Sequence, residues 1–260
     1  MPNAHAWPAV GNLNTYDMNH TLKAQYSINS YDINPIGKAR LTAIANFLQE
    51  TAYRHATELE LGYHHLERMN RAWVLSRLKI SVEKYPAWDD VITVETWPHG
   101  IEKLFALRDF RITGPSGEEL ATASTCWLMV DTNTHRPVRI SGDFIKIETR
   151  DDSVFDHTPG KMNLPEQMER SSVQEVKYSE LDVVGHVNNV KYLEWCIDAL
   201  NPEKMDPESI TGIGINYISE AKMGEAVEIH QAAGKNGLFF LKGINMHTGK
   251  NCFEAELLSE

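Results

Sequence analysis

The sequence predicts an α+β protein built from two copies of one unit, each an antiparallel sheet wrapped around a long helix. Two observations carry this expectation. A tyrosine, a polar stretch, a glycine and an apolar-periodic helix occur twice, as SYDINPIGKARLTAIANFLQETA from Ser30 and as KYSELDVVGHVNNVKYLEWCIDAL from Lys177. Strand-like runs and then a hairpin follow each copy in the same order.

In the first helix, Leu41, Ile44, Ala45, Leu48 and Ala52 recur at three- and four-residue spacing, so one stripe faces a core. Val190, Leu193, Ile197 and Leu200 make the matching stripe in the second. The runs WVLSRLKISVEKYPAWDDVITVETW and GINYISEAKMGEAVEIHQA are rich in β-branched and aromatic residues and read as strands. LFALRDFRITGPSGEELATAST turns at Pro115 to Gly117, and LFFLKGINMHTGKNCFEAELL turns at Thr248 and Gly249. A helix enclosed by such a sheet is the hotdog shape, so the predicted architecture is a tandem, or double, hotdog. Residues 1–24 read as an N-terminal arm, 25–140 as the first domain, 141–170 as an acidic, proline-containing linker crossing the surface, and 171–260 as the second domain.

Composition narrows the function classes. The formal net charge of −11 opposes general affinity for nucleic acid or anionic membrane, because both require a basic surface. No apolar run approaches the roughly 20 residues of a membrane span. The start of the chain has neither the basic and apolar regions of a secretory signal nor an Arg-rich transit sequence. Cys126, Cys196 and Cys252 are odd in number and far apart, which suits buried thiols in the cytoplasm rather than a disulfide framework.

The two copies differ where a site would be expected. LDVVGHVNN opens the second helix and INPIGKARL the first, so only the second copy has Asp182 and His186, followed by Asn188 and Asn189. His186 precedes a helix N-terminus, whose free N–H groups can hold a developing oxyanion. Asp182 is close enough in sequence to orient the imidazole. Glu220 is expected in a strand, and matching the strands at an offset of 135 places it opposite Tyr85 of the first copy. Each residue has a plainer reading: the Asp–His pair and both asparagines equally fit capping, and Glu220 fits a solvated charge. His55, His64, His65 and His230 lack ligand spacing, so no metal site is expected. Cys196 follows His186 by ten residues, about 15 Å along a helix, too far for direct activation.

At LDVVGHVNNVKYLEW the chain resembles the acyl-(acyl carrier protein) thioesterases of plants and bacteria, whose second domain carries an Asp-x-Asn-x-His-Val-Asn-Asn segment. SYDINPIGKARLTAIANFLQETAYRHA, RLKISVEKYPAWDDVITVETW and ATASTCWLMVD also look like that family's first domain. The resemblance implies hydrolysis of fatty acyl thioesters on acyl carrier protein (ACP), without a cofactor. It implies site residues at Asp182, His186 and Glu220, with an asparagine that is Val184 here and, in plant members, a cysteine that is Ala221 here. The acyl chain is then expected along the first helix at Ala45, Leu48 and Ala52, and the carbonyl near Asn188 and Asn189. Because ACP is itself acidic, Lys177, Lys191 and Lys222 are the expected local basic patch. Hydrolysis of acyl-coenzyme A, a non-catalytic acyl-binding role and a dehydratase using Glu50 of the first helix are the alternatives. Two fused copies are compatible with a monomer or a homodimer.

Overall fold

The computed structural model describes residues 21–140, 149–200 and 209–259. In chain order the first half runs β1 (Leu22–Ser27), α1 (Leu41–Glu58), α2 (Tyr63–Glu67), β2 (Arg71–Val82), β3 (Val91–Glu102), β4 (Phe105–Thr113), β5 (Glu119–Asp131) and β6 (Arg136–Pro137). The second runs β7 (Glu169–Glu175), α3 (Asn189–Asp198), β8 (Ile210–Tyr217), β9 (Ala226–Ala233), β10 (Leu238–Asn245) and β11 (Asn251–Ser259). The expected arm and linker boundaries shift slightly. Leu22 and Ala24 are buried on alternating positions and pair with β3, so strand begins before residue 25, and β7 likewise begins before residue 171. Residues 1–20 and 141–148, which fall within those two segments, lie outside the described residues.

The strands form one continuous antiparallel sheet in the order β1-β3-β4-β5-β2-β8-β11-β10-β9-β7, with β6 beside β5. The second half repeats the strand order of the first, and the two meet edge to edge at β2 and β8. Their register gives the symmetry: Leu78 pairs with Ile215, Ile80 with Ile213, and Lys79 with Gly214. Residues 135 apart exchange places across this seam, so a local dyad passes through the Lys79–Gly214 pair. Each half thereby covers an edge that the other would otherwise expose.

The helices α1 and α3 pack together against the sheet. The predicted stripe of α1 is buried in full, and Ile44 and Leu48 are among its least accessible side chains. Burying such a leucine or isoleucine contributes roughly 1.5–3 kcal/mol. The shorter α3 buries a wider face than predicted, adding Tyr192, Trp195 and Cys196, because α1 and sheet both press on it. Its predicted stripe also outruns the helix, since Leu200 is buried just beyond the last helical turn.

Residues 149–162 cross the seam on the other face of the sheet. Trp97 Nε1 donates to the Asp152 carbonyl (3.1 Å), Arg77 to Pro159 (2.7 Å) and Asn216 to Gly160 (3.1 Å). Gly214 sits beneath this strap, where a Cβ would lie 3.0 Å from the Met162 methyl. No described helix is long and apolar enough to cross a membrane.

Candidate active site

The loop before each helix is built the same way twice. Asn34 N–H donates to the Lys38 carbonyl at 2.7 Å, and Asp182 N–H to the His186 carbonyl at 2.7 Å. Ala39 N–H then reaches Pro86 O (2.9 Å), and Val187 N–H reaches Ala221 O (3.0 Å). Gly37 and Gly185 hold φ of +75° and +82°, the left-handed conformation that explains the repeated glycine. Loop and helix residues thus correspond at an offset of 148, and the strands and the turn after them at 135. Tyr85 is the counterpart of Glu220, as the sequence register predicts, and Lys38 is the counterpart of His186.

His186 and Glu220 meet. The imidazole Nε2 lies 3.1 Å from Glu220 Oε2, with side chains 27% and 54% exposed, so the pair is open to solvent and substrate. Glu220 does not lie within a strand. The chain leaves β8 after Tyr217, and the N–H groups of Ile218 and Ser219 converge on the Cys252 carbonyl at 2.8 and 3.2 Å. The loop beyond is fastened from two sides, through the Val187–Ala221 bond and through Ala221 N–H to Tyr192 Oη at 2.9 Å. That fastening sets the carboxylate against the histidine.

Asp182 does not orient the imidazole. Its Oδ1 accepts from the backbone N–H groups of Val184 (2.9 Å) and His186 (3.1 Å), as Asn34 Oδ1 accepts from Lys38 N–H (2.8 Å) in the first half. It shapes the loop, and Glu220 is the carboxylate that faces the ring. Asn188 caps α3, its Oδ1 accepting from Val190 N–H at 2.9 Å. Asn189 is the first helical residue, and its carbonyl accepts from Tyr217 Oη at 3.2 Å. Val184 is 52% exposed at the loop tip.

Ala45, Leu48, Ala52 and Asn189 line one small cavity between α1, α3 and the sheet, together with Phe110, Trp127 and Tyr217. Its volume is about 20 Å³, room for one water in this conformation. Gln49 of α1 also faces it, a residue the sequence reading passed over. At the dyad-related position a groove of about 960 Å³ opens between the helices, lined by Lys38, Leu41, Tyr85 and Ile197 among others.

The remaining candidates are placed as follows. Lys177 and Lys222 are exposed, whereas Lys191 is paired with Glu194 at 2.7 Å. All three cysteines are buried and free. Burial pushes the Cys126 thiol up to about 12 and raises Cys196 further, so neither supplies a thiolate near neutral pH. His55 is buried against Arg108, Nδ1 to Nη1 at 2.7 Å, and has a packing role. Among the described residues no three His, Cys, Asp or Glu side chains are grouped to hold a metal.

Residues 19–147 match the N-terminal domain of acyl-ACP thioesterases, and residues 163–258 match the C-terminal domain. The chloroplastic palmitoyl-ACP thioesterase of Arabidopsis thaliana is 29% identical over 216 residues, covering 76% of this chain and 52% of that protein. Oleoyl-ACP thioesterase 1 of the same plant, also chloroplastic, is 28% identical over 229 residues, covering 79% and 62%. The chain therefore spans about half to three-fifths of the length of these relatives. An acyl-ACP thioesterase from Bacteroides thetaiotaomicron has the same fold at a TM-score of 0.84 and 22% identity, covering 94% of this chain and 99% of that one. The 12:0-ACP thioesterase of Umbellularia californica superposes at 0.75 with 21% identity, covering 93% and 97%. With a domain model matched on each half of the double hotdog, this chain belongs to the acyl-ACP thioesterase family.

Proposed function

We propose that the protein hydrolyses the thioester of fatty acyl-ACP, releasing free fatty acid and holo-ACP, with the chemistry in the second half. The observation that carries this reading is the 3.1 Å contact between His186 and Glu220 beside the N-terminus of α3, with Lys38 and Tyr85 at the equivalent positions. Glu220 removes a proton from a water whose oxygen attacks the thioester carbonyl carbon. The oxyanion that forms rests against the Asn189 N–H at the head of α3, the one there with no acceptor among the described residues, where the helix dipole favours negative charge. Collapse of this intermediate breaks the C–S bond; the departing sulfur takes a proton from His186 Nε2, and the proton that Glu220 took from water passes to that nitrogen across the 3.1 Å contact, restoring both groups. A positioned base of this kind is worth about 10² to 10⁴ in rate.

The acyl chain enters along Ala45, Leu48 and Ala52. The present cavity admits it only when the surrounding side chains shift. Lys177 and Lys222, exposed beside the loops that carry Glu220 and His186, receive the acidic carrier. No cofactor enters the scheme. Three buried free thiols favour a reducing compartment, and we place the protein in the cytoplasm. It acts as a monomer or homodimer, because each half already supplies the other's sheet partner.

The test is release of free thiol from acyl-ACP thioesters across a series of chain lengths, with Glu220→Ala run in parallel. Release by the native protein and loss in the variant supports the reading and reports the preferred chain. Full activity in a folded Glu220→Ala protein removes Glu220 from the mechanism. Equal rates on ACP and coenzyme A thioesters of one chain length would overturn the carrier.

A further inference from the structure

Three side-chain hydrogen bonds tie α3 to its surroundings. Ala221 N–H donates to Tyr192 Oη (2.9 Å), Trp195 Nε1 donates to Glu180 Oε1 (3.0 Å), and Tyr217 Oη donates to the Asn189 carbonyl (3.2 Å). The dyad counterparts can form none of them. Ile44, Phe47 and Val82 stand in place of Tyr192, Trp195 and Tyr217 with no polar side-chain atom, and Pro86 stands in place of Ala221 with no N–H. The backbone frame is kept in both halves even so. Ala39 N–H reaches Pro86 O as Val187 N–H reaches Ala221 O, and Arg40 N–H reaches Asp32 O (2.8 Å) as Asn188 N–H reaches Glu180 O (2.9 Å). These loops therefore fold without the aromatic hydrogen bonds, which occur only in the half that carries His186 and Glu220.

We infer that Tyr192 and Trp195 are positioning residues that hold the His186 and Glu220 loops in place and so keep the two side chains in contact. This rests on the hydrolytic reading above. Among the described residues, neither the imidazole nor the carboxylate has a hydrogen-bond partner besides the other, so their meeting depends on the backbone beneath them. Tyr192 grips the residue directly after Glu220, and Trp195 grips Glu180, which leads into the loop of His186. The two aromatic residues are one helical turn apart, 3% and 2% exposed, with rings edge to face at 5.1 Å between centroids. A single turn of α3 thus holds both loops. Ala221 is fully buried, so without the tyrosine hydroxyl its N–H loses its acceptor out of reach of water, and the loop must shift to satisfy it.

The experiment replaces each residue by phenylalanine, with Glu220→Ala alongside. Tyr192→Phe removes one oxygen, and Trp195→Phe copies the Phe47 that fills the matching place in the first half. On acyl-ACP each variant should lose about tenfold in kcat with KM within about twofold. Its crystal structure should show the Glu220 carboxylate beyond hydrogen-bond reach of His186 Nε2. A residue that only fills the core would lower the melting temperature and leave kcat and the contact as they are. A folded variant that keeps native kcat, or keeps the contact, therefore removes its residue from this role. With Glu220→Ala inactive, that outcome leaves the hydrolytic reading intact. Should Tyr192→Phe fail to fold, Tyr192→Phe combined with Ala221→Pro leaves no orphan N–H, as at Ile44 and Pro86, and is read in the same way. If the native protein releases no thiol, the hydrolytic reading fails by itself, and the crystal structures alone decide: a broken contact supports the positioning role, and a native one overturns it.

Discussion

The two ends of the helix pair offer the same scaffold with different contents. At one, a histidine and a glutamate are in contact, and Asn189 and Tyr217, each three residues away from one of them in sequence, line a cavity of about 20 Å³. At the other, a groove of about 960 Å³ is lined by a lysine, a tyrosine and an isoleucine in the corresponding places. The backbone hydrogen bonds of the two loops agree to about 0.1 Å, so fold alone does not make a reactive site here. What differs is a small set of side chains whose positions the fold already fixes. In a dimer of identical subunits both ends would carry the same residues, and only a chain holding both copies can differ at one of them.

The largest expected effect tests that difference directly. Glu220→Ala and His186→Ala should each lower turnover by at least about 10²-fold, whereas Tyr85→Phe, which removes only a hydroxyl bonded to the Ile210 carbonyl, should leave it within about twofold. Comparable losses at both ends, measured as thiol release, would break the assignment of chemistry to one half. Enlarging Ala45 or Ala52 to leucine should come next, moving the preferred acyl chain to shorter lengths by about 1 to 3 kcal/mol per excluded methylene. An unchanged chain profile in a stable protein would put the acyl chain elsewhere.

Asp182→Asn sharpens the comparison further. The first half already uses Asn34 for this loop, so the variant should retain activity within about tenfold and lose about 1 kcal/mol of stability or less. A loss as large as that of Glu220→Ala would return Asp182 to the imidazole. The smallest effect is expected for Asn188→Ala, which removes the cap of α3. It should cost about 1 kcal/mol, seen as a melting temperature a few degrees lower.

Much of this was legible in the sequence because the chain carries its own comparison. The repeat located both helices, the glycines marked both loops, and the strand offset placed Glu220 against Tyr85. The missed details depend on geometry that sequence spacing does not encode. A carboxylate four residues before a histidine can reach either its ring or its backbone N–H, and the left-handed turn at Gly185 selects the backbone. Glu220 was assigned to a strand because its neighbours are strand-like, yet the convergence of two N–H groups on Cys252 ends pairing three residues earlier.

The strap of residues 149–162 bears on how the molecule comes apart. It is anchored to Trp97 in the first half and to Asn216 in the second, across a seam that is itself a pair of hydrogen-bonded strands. Neither half can melt without stripping the outer face and the sheet edge of its neighbour. Denaturant should therefore produce one cooperative transition rather than two, with fluorescence from Trp97 and Trp195 in opposite halves changing together.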